Sequence, residues 1–213
     1  MKKTNKIRYL FYTLLILNLL LASLSVAKAK GMLIPGQPSP LVIDNTVDLS
    51  SLTLKQKIAQ MVVGLGIPDN APAIKNLQLG GVYLYSMANE EMFKRATQSF
   101  QADMEIPFLI TVDLEGCFNP FANFQNFTAA NKISEIGEAF EKGKQEGNFL
   151  SDLGVTMNFA PVVDLNDTIW KCRSFPGDEQ QISELANAYI LGLQDEKVYA
   201  TAKHYPGKTL VIK

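Results

Sequence analysis

The chain has 213 residues, of which 47% are hydrophobic and 19% charged, the balance of an ordinary globular protein rather than a disordered one. Twenty Lys and Arg against 21 Asp and Glu leave a formal net charge of -1, and no basic stripe interleaved with aromatics stands out, so nucleic acid is not an expected partner. One histidine and two cysteines supply too few ligands for a metal site of that type, so no metal is expected. Leu65-Gly66-Ile67-Pro68 matches neither the dinucleotide fingerprint nor the P-loop, so no cofactor is expected either.

The N-terminus carries Lys2, Lys3, Lys6 and Arg8, then an apolar run from Leu10 to Leu24 broken by Thr13, Asn18 and Ser23, then Ala27-Lys28-Ala29. A basic segment, an apolar segment and small residues in that order form a secretory signal, which predicts export with cleavage near Ala29. An uncleaved membrane anchor is the alternative, and membrane contact is expected only through this segment. The apolar run falls short of the ~20 residues a spanning helix needs. Residues 30–51, with Pro35, Gly36, Pro38 and Pro40, read as an extended lead-in, and the folded domain is expected over 52–213.

Within that domain, helical and strand character alternate. Thr53 to Met61 has apolar residues at helical spacing behind a hydroxyl that can cap, and Met61 to Leu65 reads as a short buried strand. Ala71 to Leu79 predicts a helix closed by Gly80-Gly81, followed by the strand Val82 to Tyr85. Helices over 90–104, 134–153 and 179–196 alternate with strands over 107–112, 155–159 and 198–202. Five nearly continuous apolar strands separated by helices mean parallel βα units buried on both faces. An open doubly wound sheet and a closed barrel both satisfy that pattern. The expected fold class is α/β, a (β/α)8 TIM-type barrel represented by its first five or so units. Asp113-Leu114-Glu115, Asp164 and Lys203-His204 all follow strand ends, and ligand-handling residues collect on that rim of a barrel.

Four segments carry candidate chemistry. Asp113 and Glu115 stand two apart beyond a strand and are followed by Gly116. Such acids can accept charge-assisted hydrogen bonds from sugar hydroxyls, or can cap the following turn. The segment Met157 to Asp164 is mostly core, and Asn158 and Asp164 are expected to satisfy backbone groups near the rim. Arg173 lies in a loop between Trp170 and Phe175, where its planar fork suits vicinal hydroxyls, a carboxylate such as Asp113, or solvent. Lys203 and His204 end an alanine-rich strand and precede the Pro206-Gly207 turn. A lone His can serve substrate or bond backbone carbonyls.

Taken together, Thr53-Leu54-x-x-Lys57-Ile58-x-Gln60-Met61, Val112-Asp113-x-Glu115-Gly116, Asn158 to Asp164, Arg173-Ser174-Phe175, Gly192-Leu193-Gln194 and Lys203-His204-Tyr205-Pro206-Gly207 resemble the family 3 glycoside hydrolases, especially their β-N-acetylhexosaminidase branch. The resemblance runs from about Leu52 to Gly207. It implies that Asp113, Arg173, Lys203 and His204 bind the hydroxyls of the sugar in the -1 subsite. It also implies hydrolysis of terminal β-linked N-acetylhexosamine with retention, through an Asp nucleophile and a separate acid/base. The partner it implies is an amino-sugar glycan.

The sequence departs from the family pattern at three places. Cys117-Phe118-Asn119-Pro120 stands where the family usually carries Gly, Val and a sugar-binding Arg, and Lys208 stands where it often carries His. The nucleophile and acid/base are expected beyond Lys213, so residues 30–213 alone are expected to give no turnover. A non-catalytic sugar-binding relative and β-glucosidase-type specificity are the alternatives. Cys117 and Cys172 fall in rim loops beside site-lining segments, and export permits their pairing, so a disulfide between them is expected.

Overall fold

The computed structural model describes residues 12–23, 25, 40, 42, 43, 46–165 and 170–207. The expected cleavage point at Ala29, most of the lead-in and Lys208 lie outside them. The chain divides into two compact units, Met1–Ser39 and Pro40–Lys213. In the first, residues 12–23 form helix α1 with its side chains exposed. Among the described residues no helix is long and apolar enough to cross a membrane.

The second unit opens with a two-residue antiparallel ladder, β1 (Val42–Ile43) with β2 (Thr46–Val47), and a 3-10 turn over Leu49–Ser51 whose first N–H groups Asp48 caps. Helix α2 (Leu54–Ala59) begins on Thr53. The Thr53 hydroxyl accepts from the Gln56 N–H, and the Gln56 side chain accepts in return from the Thr53 N–H, so two otherwise orphaned donors are satisfied.

Five parallel strands follow: β3 (Val63–Gly66), β4 (Gly81–Leu84), β5 (Leu109–Val112), β6 (Met157–Asn158) and β7 (Tyr199–Ala200). Their order in the sheet is the order in the chain, β3-β4-β5-β6-β7. A doubly wound sheet reverses direction at a switch point, whereas here each strand is laid beside its predecessor, as in a barrel wall. The crossovers hold α3 (Ala71–Leu77), α4 (Glu90–Gln101), α5 (Ile136–Asp152) and α6 (Glu179–Asp195). Among the described residues the five strands do not close on themselves, and β3 and β7 are each paired on one side.

Boundaries differ from the sequence reading for local reasons. Helix α3 stops at Leu77 because Gln78, two residues before the glycine pair, takes the left-handed conformation, φ 51°. Strand β6 is shorter than expected: at its start the Ile110 N–H donates to the Thr156 hydroxyl while the Thr156 N–H donates to the Ile110 carbonyl, and past its end Pro161 has no N–H to donate.

The core sits between the sheet and its helices. Val82, Leu84, Ile110 and Val112 are fully buried against Phe93 and Phe100 of α4, Leu150 of α5 and Leu193 of α6. Phe121 carries the long connection after β5 into that core. Its ring lies 5.1 Å from Phe93 and 5.0 Å from Phe149, both edge-on, so the segment that begins with Asp113 is anchored at its middle.

Candidate functional site

The C-terminal ends of β4, β5 and β7, with the loop after β6, bring four charges into one chain of contacts. Asp113 and Glu115 leave β5 on either side of Leu114. Lys203 follows β7, where its backbone N–H donates to the Pro161 carbonyl at 3.0 Å and its carbonyl accepts from Val163 at 2.7 Å. Val162 bridges in parallel both to Lys203 and to Ser174, which sets Arg173 beside the same rim.

From these positions the side chains interlock. The Lys203 ammonium donates to Asp113 Oδ1 at 2.7 Å and also to Glu115 Oε1. The Arg173 guanidinium donates to Glu115 Oε2 at 2.8 Å. The Tyr83 hydroxyl donates to the other oxygen of Asp113 at 3.0 Å, and the Tyr83 ring stacks on Phe159 with 6.2 Å between centroids. Burial, and then the charge of Asp113, raise the Tyr83 phenol well above its ordinary range, so it remains a donor. Exposure is graded along the chain of contacts. Arg173 and Glu115 are at 5% and 6%, Lys203 at 16% and Asp113 at 24%, so the deep pair holds the shallow one.

His204 is placed differently. Its Nδ1 lies 2.6 Å from Asp164 Oδ2, and its backbone N–H donates to Asp164 Oδ1 at 3.3 Å. The Asp164 side chain is buried, and its two oxygens hold His204 at one ring nitrogen and at the backbone N–H.

Two covalent and conformational details close the site. Cys117 and Cys172 are joined by a disulfide, with Cα atoms 5.6 Å apart. It ties the residues next to Gly116 to those next to Arg173. Gly116 lies at φ 68°, and a Cβ there would come within 2.9 Å of the Ala130 nitrogen and the Cys172 carbonyl, so the turn admits only glycine. Phe118 and Trp170 meet beside the disulfide with 6.1 Å between ring centroids.

Of the residues singled out in the sequence, Asp113, Arg173 and Lys203 are brought together, though not as a direct Asp113–Arg173 pair. Glu115 stands between them and takes Arg173. His204 adjoins the cluster through its peptide bond to Lys203 and turns its ring onto Asp164. Tyr83 was missed. Its signal, a hydroxyl within the strand Val82 to Tyr85, was shared with Tyr85. Among the described residues no group of three His, Cys, Asp or Glu is arranged to hold a metal ion.

This fold, with polar residues gathered at the ends of sequentially ordered parallel strands, belongs to a known class. Residues 53–211 match the glycosyl hydrolase family 3 N-terminal domain, and the chain belongs to that family. Among curated relatives it is 28% identical over 172 residues to the beta-hexosaminidase LpqI of Mycobacterium bovis, covering 73% of this chain and 44% of the relative. Among solved structures, a family 3 β-N-acetylglucosaminidase from Paenibacillus sp. FPU-7 superposes with a TM-score of 0.68 at 28% identity, over 73% of this chain and 34% of that one. A family 3 glycosyl hydrolase from Mycobacterium smegmatis gives 0.65 at 30% identity, over 76% and 53%. The chain therefore spans about half the length, or less, of the relatives it matches.

Proposed function

We propose that the protein is an exported glycoside hydrolase acting on terminal β-linked N-acetylhexosamine residues with retention, and that Asp113, Arg173, Lys203 and His204 hold the sugar in its -1 subsite. The observation that carries this reading is the interlocked chain Tyr83–Asp113–Lys203–Glu115–Arg173 at the strand ends. Its shallow end combines a part-exposed carboxylate with an ammonium that commits two of its three donors inside the cluster. Vicinal hydroxyls, each both donor and acceptor, match such an alternation. The printed names of the relatives, beta-hexosaminidase and β-N-acetylglucosaminidase, support the N-acetylhexosamine class. Export rests on the basic and apolar segments that precede Ala29.

Two measurements test the reading. Saturation-transfer NMR on the chain is expected to show N-acetylglucosamine bound, and Asp113→Asn to abolish the signal while circular dichroism stays unchanged. Protein expressed from the full reading frame is expected to cleave 4-nitrophenyl N-acetyl-β-glucosaminide in preference to the β-glucoside. Binding without cleavage would favour a non-catalytic sugar-binding protein, and the absence of both would refute the assignment.

A further inference from the structure

Beneath the charged rim lies a second polar network that the sugar-binding reading does not use. The Asn158 side chain clamps Leu114 at two points: its Oδ1 accepts from the Leu114 N–H at 2.9 Å, and its Nδ2 donates to the Leu114 carbonyl at 3.0 Å. The same Nδ2 donates to the Tyr189 hydroxyl at 3.1 Å. That hydroxyl donates in turn to Glu146 Oε2 at 2.6 Å. Glu146 Oε1 accepts from the Lys142 ammonium, which also donates to the Thr128 carbonyl at 2.7 Å. Leu114, Asn158 and Glu146 are wholly buried, Tyr189 is at 2% and Lys142 at 7%.

The direction of these bonds is consistent throughout. An amide N–H points at a phenol, the phenol points at a carboxylate, and an ammonium closes the far side, so each group fixes the next. Helix packing makes the reach possible. Gly143 of α5 lies against α6 so closely that a Cβ would sit 2.1 Å from the Tyr189 carbonyl, which lets Tyr189 meet Glu146 across the helix pair. Leu114 is the residue between Asp113 and Glu115. Its own side chain is apolar, and its N–H and C=O, which belong to the peptide units on either side of it, are both held by one amide.

We infer that the buried chain Asn158–Tyr189–Glu146–Lys142 is a positioning device for the acidic pair, in which α5 and α6 set the orientation of the Asp113-Leu114-Glu115 turn. Asn158, Tyr189 and Glu146 touch no ligand in this scheme; they act through the turn. A purely apolar filling of the same space would pack the helices but leave the Leu114 peptide free to rotate, and the two carboxylates with it. A paired, fully bonded polar network in a core contributes direction more than stability. The inference rests on the sugar-binding reading only for what the turn is used for.

The test uses Tyr189→Phe, with Leu185→Ala, one turn earlier on the same helix and outside the network, as a control for lost stability. Amide hydrogen exchange is followed at Leu114 and at Ile110, whose N–H is bonded to Thr156 instead. In Tyr189→Phe the ratio of the Leu114 rate to the Ile110 rate is expected to rise at least tenfold, whereas in Leu185→Ala the two amides should quicken together. N-acetylglucosamine affinity, measured at equal fraction folded, is expected to fall at least fivefold in Tyr189→Phe alone. An unchanged ratio in folded Tyr189→Phe overturns the inference, as does a raised ratio with unchanged affinity. If the unmodified chain binds no N-acetylglucosamine, the sugar-binding reading fails and the exchange ratio still decides the positioning role. Should Tyr189→Phe not fold, Glu146→Gln, which keeps the volume and removes the anionic acceptor, is expected to raise the same ratio about threefold, and no rise there overturns the inference.

Discussion

Breaking the Cys117–Cys172 bond measures how far the rim depends on a covalent tie. The two residues are 55 apart in sequence, and they join the turn after Glu115 to the loop that presents Arg173. In the chain-entropy description, cross-linking residues at that separation removes about 14 cal/mol/K from the unfolded ensemble, or about 4 kcal/mol at 25 °C. With a urea dependence of about 2 kcal/mol/M, the double variant Cys117→Ser/Cys172→Ser should unfold at a midpoint about 2 M lower than the oxidised chain, a shift that reduction by dithiothreitol should reproduce. Trp170, the only tryptophan in the chain, packs on Phe118 beside the bond, so its emission reports local loosening while far-ultraviolet circular dichroism reports the global transition. Mass spectrometry on protein exported by the cell should show a gain of two hydrogens on reduction. A verified bond whose loss moves the midpoint by less than about 0.5 M would refute the reasoning, because the unfolded chain would then not be gaining the freedom that the separation implies.

Three further outcomes are expected. Glu115→Ala leaves Arg173 and Lys203 without the carboxylate that joins them in a largely buried site, and should lower stability by about 3–5 kcal/mol in urea unfolding, well beyond the effect of a surface charge. Thr53→Ala removes the first partner of the reciprocal cap on α2 and should cost about 1 kcal/mol by the same measurement, with no change in sugar binding. Burial lifts the Glu146 carboxyl above its ordinary value of 4.5, against the pull of Lys142 and Tyr189, so the folded chain retains a proton there that the unfolded chain releases. That contribution is complete below 4.5 and is lost as pH rises through the raised value. The unfolding midpoint of the unmodified chain should therefore fall relative to that of Glu146→Gln as pH is taken from 4 to 7, and parallel curves would refute the assignment.

The parts of the fold legible in the sequence are those where local chemistry and tertiary packing agree. The apolar runs at Val82 and Ile110 had to be buried on both faces, and the hydroxyl of Thr53 ahead of a helical period with Gln56 three residues on announced a cap. The strand order was not legible from periodicity, because a barrel wall and a doubly wound sheet share the same alternation; the position of acids after strand ends tipped the choice. At the site, Asp113 and Lys203 stood out by following strand ends, and Arg173 joined them through the resemblance to the family's motifs. The identity of their partners was not visible, since it depends on Val162 bridging two distant segments at once. Asn158 and Asp164 were read as satisfying backbone near the rim, and Asn158 does bond the Leu114 peptide, as Asp164 bonds the His204 N–H. That Asn158 also continues to Tyr189 and Glu146 could not be read, because i to i+4 spacing of Lys142 and Glu146 looks like an ordinary surface pair until the glycines of the helix interface bury it.

The charge arithmetic of the rim bears on what it can hold. Two carboxylates, Asp113 and Glu115, are matched by two cations, Lys203 and Arg173, through the contacts that join them. A site for a phosphate or a carboxylate would leave cationic donors in excess, with helix N-termini or Arg forks turned toward the ligand. Here the forks are turned inward onto Glu115. Through these contacts the cluster spends its charge on its own geometry. Burying Glu115 and Arg173 costs desolvation that their attraction only offsets, so their presence in the core of the rim is better explained by the orientation they impose on Asp113 and Lys203 than by stability. The disulfide and the Asn158 clamp act on the same two loops from opposite sides. One fixes the outer ends of the acidic turn and the Arg173 loop, and the other fixes the peptide between the two acids.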